Sequence, residues 1–254
     1  MITIKSASDI EKMDAAGRIV EETLNLMGEM VRAGISTSEL DHEAEAFIRS
    51  KGAVPSFLNY SGYPRSICTS VNEQVVHGIP GHYRLKDGDI VSVDVGAVIN
   101  GFHGDAARTF LIGNVPDEVV RLVEVTRECF FEGIKYAKVG YRLGDIGHAI
   151  QEHAESNGFG VVREMIGHGI GREMHEEPDV PNYGRAGHGI RLEAGMTIAV
   201  EPMITLGSHR ILQLSDGWTI VTADGKPSAH YENSLAITDG EPKLLTLHEE
   251  VTRS

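Results

Sequence analysis

Leu85-Lys-Asp-Gly-Asp-Ile-Val-Ser-Val-Asp94 and Leu192-Glu-Ala-Gly-Met-Thr-Ile-Ala-Val-Glu201 read as two copies of one segment, and the pair decides the fold. Each sets a leucine three residues before a glycine, continues into β-rich sequence and closes on a carboxylate. The likeness extends outward in both directions at nearly constant spacing. Residues 32–52 align with 138–158, matching Gly34 with Gly140, His42 with His148, Ser50 with Ser156 and Gly52 with Gly158, while His103-Gly-Asp105 resembles His230-Tyr-Glu232. Repetition of this kind marks a duplicated structural unit. We expect one α+β domain over residues 1–254, made of two pseudo-twofold-related halves at about 8–112 and 117–238, each giving two acidic residues to a central site.

Strand alternation lets those acids meet. Val91, Val93 and Val95 point one way, and Ser92, Asp94 and Gly96 the other; in the second copy Ile198 and Val200 oppose Thr197, Ala199 and Glu201. Each strand then has an apolar face for a core and a face presenting a carboxylate among small residues. Four acids converging without four basic partners repel one another, so metal ions are the economical counter-charge. Candidate imidazoles come from His77-Gly-Ile-Pro80 and from Gly167-His-Gly-Ile-Gly-Arg-Glu-Met-His175, with His168 the expected ligand. Mostly oxygen donors with one imidazole suit Mn²⁺, Fe²⁺ or Co²⁺ better than a soft-ligand site would.

Around these segments the pattern is helical. Ile10, Met13, Val20, Leu24, Met27 and Val31 predict a helix over 8–32, ended by Gly34. Ser36 and Glu39 have the form of a capping box ahead of Leu40, Ala44, Phe47 and Ile48. Further helices are predicted over 117–137 and 143–157, and β structure over 90–99 and 197–204.

Composition narrows the function classes. A net charge of −14 opposes general attraction to nucleic acid or anionic membranes. The first residues, with Lys5, Asp9, Glu11, Lys12 and Asp14, lack the apolar centre of a signal peptide, and no apolar stretch approaches a membrane span. Cys68 and Cys129 are too few for a disulfide framework or a Cys-rich zinc site, so a reducing, cytoplasmic setting is expected. No G-x-S-x-G elbow and no H-E-x-x-H motif is present, and Arg172 stands where a nucleotide-binding loop would need its last glycine.

The blocks Asn59-Tyr-Ser-Gly-Tyr-Pro64, Val93-Asp-Val-Gly96, Gly101-Phe-His-Gly-Asp105, Gly167-His-Gly-Ile-Gly-Arg172, His175-Glu-Glu-Pro178 and Glu201-Pro202 together resemble the type I methionine aminopeptidases, in their short, bacterial-like form. The resemblance runs from the first helix to Ile237. It implies the pita-bread fold, with two pseudo-twofold-related halves around a dinuclear metal site held by Asp94, Asp105, His168, Glu201 and Glu232, of which Asp105 and Glu232 bridge. It implies further that metal-activated water attacks the first peptide bond, that Glu201 moves the proton, that His175 and His77 contact the scissile group, and that Tyr60, Tyr63, Cys68, Met174 and Trp218 hold the methionine side chain. The substrates would be N-termini of nascent polypeptides with a small second residue, met by a monomer in the cytoplasm, with room for transient ribosome contact and without direct nucleic-acid or membrane partners.

Four positions depart from the family's pattern: Ser61 where histidine is often found, Met174 where phenylalanine is common, Gly96 in place of threonine, and His230 in place of glutamine. His103 and His230 each lie two residues before a bridging acid and are candidates to touch it. Two rivals stand beside this reading. Proline-specific peptidases of the same fold generally carry a large domain before the catalytic one, whereas here the pattern starts almost at Met1. Non-catalytic peptide- or ribosome-binding relatives are expected to lose metal ligands, and all five are present.

Overall fold

A computed structural model describes residues 1–248. Both of the first two helices start on reciprocal caps. Helix α1 (Ala7–Met30) begins at Ser6, whose hydroxyl accepts from the Asp9 amide while the Asp9 carboxylate accepts from the Ser6 amide. Helix α2 (Thr37–Ser50) repeats this with Ser36 and Glu39, as the sequence predicts. Helices α3 (Asp117–Ile134) and α4 (Leu143–Ser156) occupy the equivalent places in the second half.

Four antiparallel strands form the middle of a nine-stranded sheet, in the order Ile90–Ile99, Phe102–Leu111, Glu232–Ala236 and Thr197–Val200. Ile67–Val71 pairs outside the first of them and Gly167–Gly169 outside the last. The order is symmetric about the seam between Phe102–Leu111 and Glu232–Ala236, which is where the two halves of the repeat join. Each half has its own apolar core against its own helices. Val91, Val93 and Val95 pack with Val20, Leu24 and Leu40; Ile198, Val200 and Leu235 pack with Leu122, Phe130 and Ile146. Because side chains alternate, these valines and isoleucines turn the carboxylates to the other face.

The β structure expected over 197–204 is present but interrupted. It is two strands, Thr197–Val200 and Met203–Thr205, and the second joins a different sheet with Gly160–Val161 and Ser228–His230. Pro202 has no N–H for the ladder, so the chain changes sheets there. Glu201 thus stands at the break between the two strands.

Among the described residues no helix is long and apolar enough to cross a membrane. Cys68 and Cys129 are both buried free thiols.

Candidate active site

Register places Asp94, Asp105 and Glu232 each beside a small residue. Asp94 pairs with Ala107, which pairs with Glu232 on its other side, so two carboxylates flank one alanine across three strands. One row further, Asp105 pairs with Gly96, and the Ser234 hydroxyl closes the seam by accepting from the Asp105 amide at 3.1 Å and donating to its carbonyl at 2.9 Å. Ala199 lies in register with both Ser234 and His168, which brings the imidazole alongside. The glycines flanking His168 serve close approach rather than access: a Cβ on Gly167 would lie 2.4 Å from the Ala199 carbonyl oxygen, and one on Gly169 2.2 Å from that of Glu177.

His168 Nδ1 donates to the Gly169 carbonyl at 2.8 Å, which turns Nε2 toward Asp105 Oδ2 at 3.6 Å and Glu201 Oε1 at 3.8 Å. Asp94 Oδ1, Asp105 Oδ1, Glu232 Oε1 and His230 Nε2 are all buried without a hydrogen-bond partner. Burial, and then the Asp105 and Glu201 charges, push the Asp94 and Glu232 carboxyls well above their ordinary range. Burial opposes the His168 imidazolium, but the nearby Asp105 and Glu201 carboxylates outweigh it and raise its pKa. Buried carboxylates of this kind are stable as anions only with a cation among them. The donor atoms form two groups, Asp105–His168–Glu232 and Asp94–His230–Glu232, each gathered within 4.8 Å and sharing Glu232. The residues therefore fit divalent cations.

Every site residue expected from the sequence lines one cavity of about 290 Å³: His77, Asp94, Asp105, His168, His175, Glu201 and Glu232 together with Tyr60, Tyr63, Cys68, Met174 and Trp218. Cys68 pairs across the strands with Asp94, which fixes it beside the acids. Burial, followed by the Asp94 charge, pushes its thiol well up, so it is a neutral wall. Phe57, Tyr63, Cys68 and Met174 form a small apolar cluster, and Trp218, partly exposed, meets Tyr63 edge-on at 5.1 Å. His175 sits at the rim, its ring 4.2 Å from that of His168 and its Nδ1 2.8 Å from the exposed Tyr60 hydroxyl. Burial, then the charge of His168, lowers its pKa, and burial lowers that of His77.

One of the departures, and one of the two histidines expected beside a bridging acid, have a visible consequence. At Gly96 a Cβ would lie 2.7 Å from the Phe57 ring, so Phe57 takes the space that threonine would fill and becomes part of the cavity wall. His103 does not pair with an acid; its Nδ1 bonds Ser56 Oγ at 2.8 Å.

Sequence reasoning missed the supports behind the site. Half-buried Arg108 donates to the Glu232 carbonyl at 2.6 Å and to Asn233 Oδ1 at 2.7 Å, stapling the seam. An arginine three residues after Asp105 in the same strand was the available signal. Lys5, also buried, pairs with Glu176 beside His175; nothing local in the sequence joins residues so far apart.

The profile of metallopeptidase family M24 matches residues 11–239. The methionine aminopeptidase of Clostridium perfringens is 57% identical over 97% of this chain and 99% of its own length, and methionine aminopeptidase 1 of Bacillus subtilis 49% identical over 97% and 99%. The crystal structure of methionine aminopeptidase from Rickettsia prowazekii superposes with a TM-score of 0.96 at 42% identity, covering 97% of this chain and 100% of that one. The chain belongs to metallopeptidase family M24 and has its pita-bread fold. Within that family its place is among the methionine aminopeptidases, and its activity is removal of an N-terminal methionine.

Proposed function

We propose that the chain removes the initiator methionine from nascent polypeptides whose second residue is small, using two divalent ions held by Asp94, Asp105, His168, Glu201 and Glu232. The observation that carries this reading is the convergence of unpartnered buried carboxylate oxygens on the floor of an apolar cavity. Glu232 belongs to both groups of donor atoms, which supports a bridging role for it. Bound there, such ions would lower the pKa of water and polarise the scissile carbonyl. Manganese, iron and cobalt all suit this donor set.

The protein's own groups supply the rest. Tyr63, Cys68, Met174 and Trp218 enclose the methionine side chain, with Tyr60 over it at the rim. Glu201, turned inward at the strand break, takes a proton from water and returns it to the leaving amine. Burial holds the His175 pKa down; in the tautomer where Tyr60 Oη donates to Nδ1, the ring proton is on Nε2 and serves the scissile carbonyl oxygen. His77 contacts the scissile amide. The free N-termini of emerging chains are the natural partners, met in the cytoplasm by a monomer, transiently at the ribosome.

His175→Ala is expected to lower turnover about a hundredfold, roughly 3 kcal/mol, the loss of one donor to a developing oxyanion. Metal content, measured by atomic emission, should be retained; loss equal to that of His168→Ala would make His175 a ligand instead.

Specificity at the second residue follows from the rim. The methionine carbonyl must reach the acids while the next side chain lies against Tyr60 and His175, and displacement of about 1 Å costs on the order of a hundredfold. Hydrolysis of Met-X-Ser peptides tests this. Met-Ala and Met-Gly should be cut and Met-Ile and Met-Lys spared; equal cleavage of all four would make the enzyme a broader aminopeptidase.

A further inference from the structure

His230 is 1% exposed and its Nε2 has no hydrogen-bond partner. Its backbone is clamped: Thr109 Oγ1 accepts from the His230 amide at 3.0 Å and donates to the His230 carbonyl at 2.9 Å, and Ser92 Oγ holds Thr109 Oγ1 at 2.8 Å. The ring is thereby held against Glu201 and Glu232. Nε2 lies 3.5 Å from Glu232 Oε2 and 3.6 Å from Glu201 Oε2. Both separations exceed the roughly 2.7–3.2 Å of an N–H···O hydrogen bond. The separation from Glu232 matches instead the spacing of about 3.4 Å between two donors that each stand about 2.1 Å from one tetrahedral ion, and an Asp94 oxygen lies within 4.8 Å of both.

We propose that His230 is a sixth metal ligand, its Nε2 joining Asp94 and Glu232 at the second cation position. The assignment rests on the two-ion reading of the site. His168 serves the group containing Asp105 and Glu232, and His230 the group containing Asp94 and Glu232, so each ion has one imidazole. A glutamine at 230, the residue usual in the family, has no imidazole to offer. An added nitrogen donor moves the second position away from all-oxygen coordination, which favours Co²⁺, Fe²⁺ or Zn²⁺ there over Mn²⁺ or Mg²⁺.

The test is anaerobic titration of the metal-free full-length protein with Co²⁺, followed by proton NMR in the paramagnetically shifted region. Both imidazoles are buried, so the ring N–H of each coordinated histidine should exchange slowly enough to be counted. One shifted exchangeable resonance is expected at one equivalent and a second at two. His230→Gln should lose the second resonance and bind the second ion at least tenfold more weakly, with the first unaffected. The count on the unmutated protein stands even if the variant folds poorly. Two bound ions with a single shifted N–H would overturn the His230 assignment and leave the two-ion reading standing. Binding of one ion only would overturn both.

Discussion

Glu201→Gln is expected to cut the turnover of Met-Ala-Ser by at least about a thousandfold while leaving the fold unchanged. The amide has the size of the carboxylate but cannot accept and return a proton, a role worth about 10²–10⁴ in rate, and it is a weaker ligand for a divalent ion. Folding should be spared because the residue's structural tie is through its backbone: Asn182 Nδ2 donates to the Glu201 carbonyl at 3.0 Å, a bond indifferent to the substitution. Initial rates together with thermal melting separate the two effects. Retention of even a tenth of the normal turnover, with a normal melt, would remove Glu201 from the proton path.

Metal removal should lower stability in a way that depends on pH. In metal-free protein Asp94 and Glu232 have carboxyls raised well above the ordinary range by burial and by the neighbouring acids. In the unfolded chain they titrate near 4. Between that value and the raised ones the folded state binds more protons than the unfolded state, so the free energy of unfolding falls as pH rises. The contribution is fully present in acid and lost as pH climbs through the raised pKa values. Cations reverse the balance, since they bind the ionised carboxylates. At a hundredfold excess over its Kd an ion adds about 2.7 kcal/mol, or about 5–10 °C in Tm for a chain of this size. The gap in Tm between loaded and stripped protein should therefore widen from pH 5.5 to pH 8, as read by scanning calorimetry. A gap that narrows would mean that these carboxyls are not the groups that receive the cation.

What the sequence disclosed was what local pattern and duplication can encode. The capping box at Ser36, the alternation through Asp94 and the repeat linking it to Glu201 depend on neighbours a few residues away or on a copied segment, and each reappears in the structure. The expected site residues meet in one cavity because the repeat determines which strand faces carry acids. Contacts between distant segments were not readable. Nothing in the run around Gly96 announces that Phe57 fills its missing side chain, nor does the run around Lys5 announce Glu176. Alternation as far as Glu201 set its carboxylate opposite Ile198 and Val200, but the change of sheet after Pro202 was not read from it. His230 looked like one of two equivalent histidines, and only the three-dimensional paths separate them, His103 going to Ser56 and His230 to the acids.

The most direct test of the account is release of free methionine from Met-Ala-Ser by protein stripped with chelator, assayed alone and after stepwise addition of Mn²⁺, Fe²⁺ or Co²⁺. The arrangement of Asp94, Asp105, His168, Glu201 and Glu232 predicts no release from the stripped protein and a rate restored by added ion. Methionine released at the full rate by metal-free protein would contradict it.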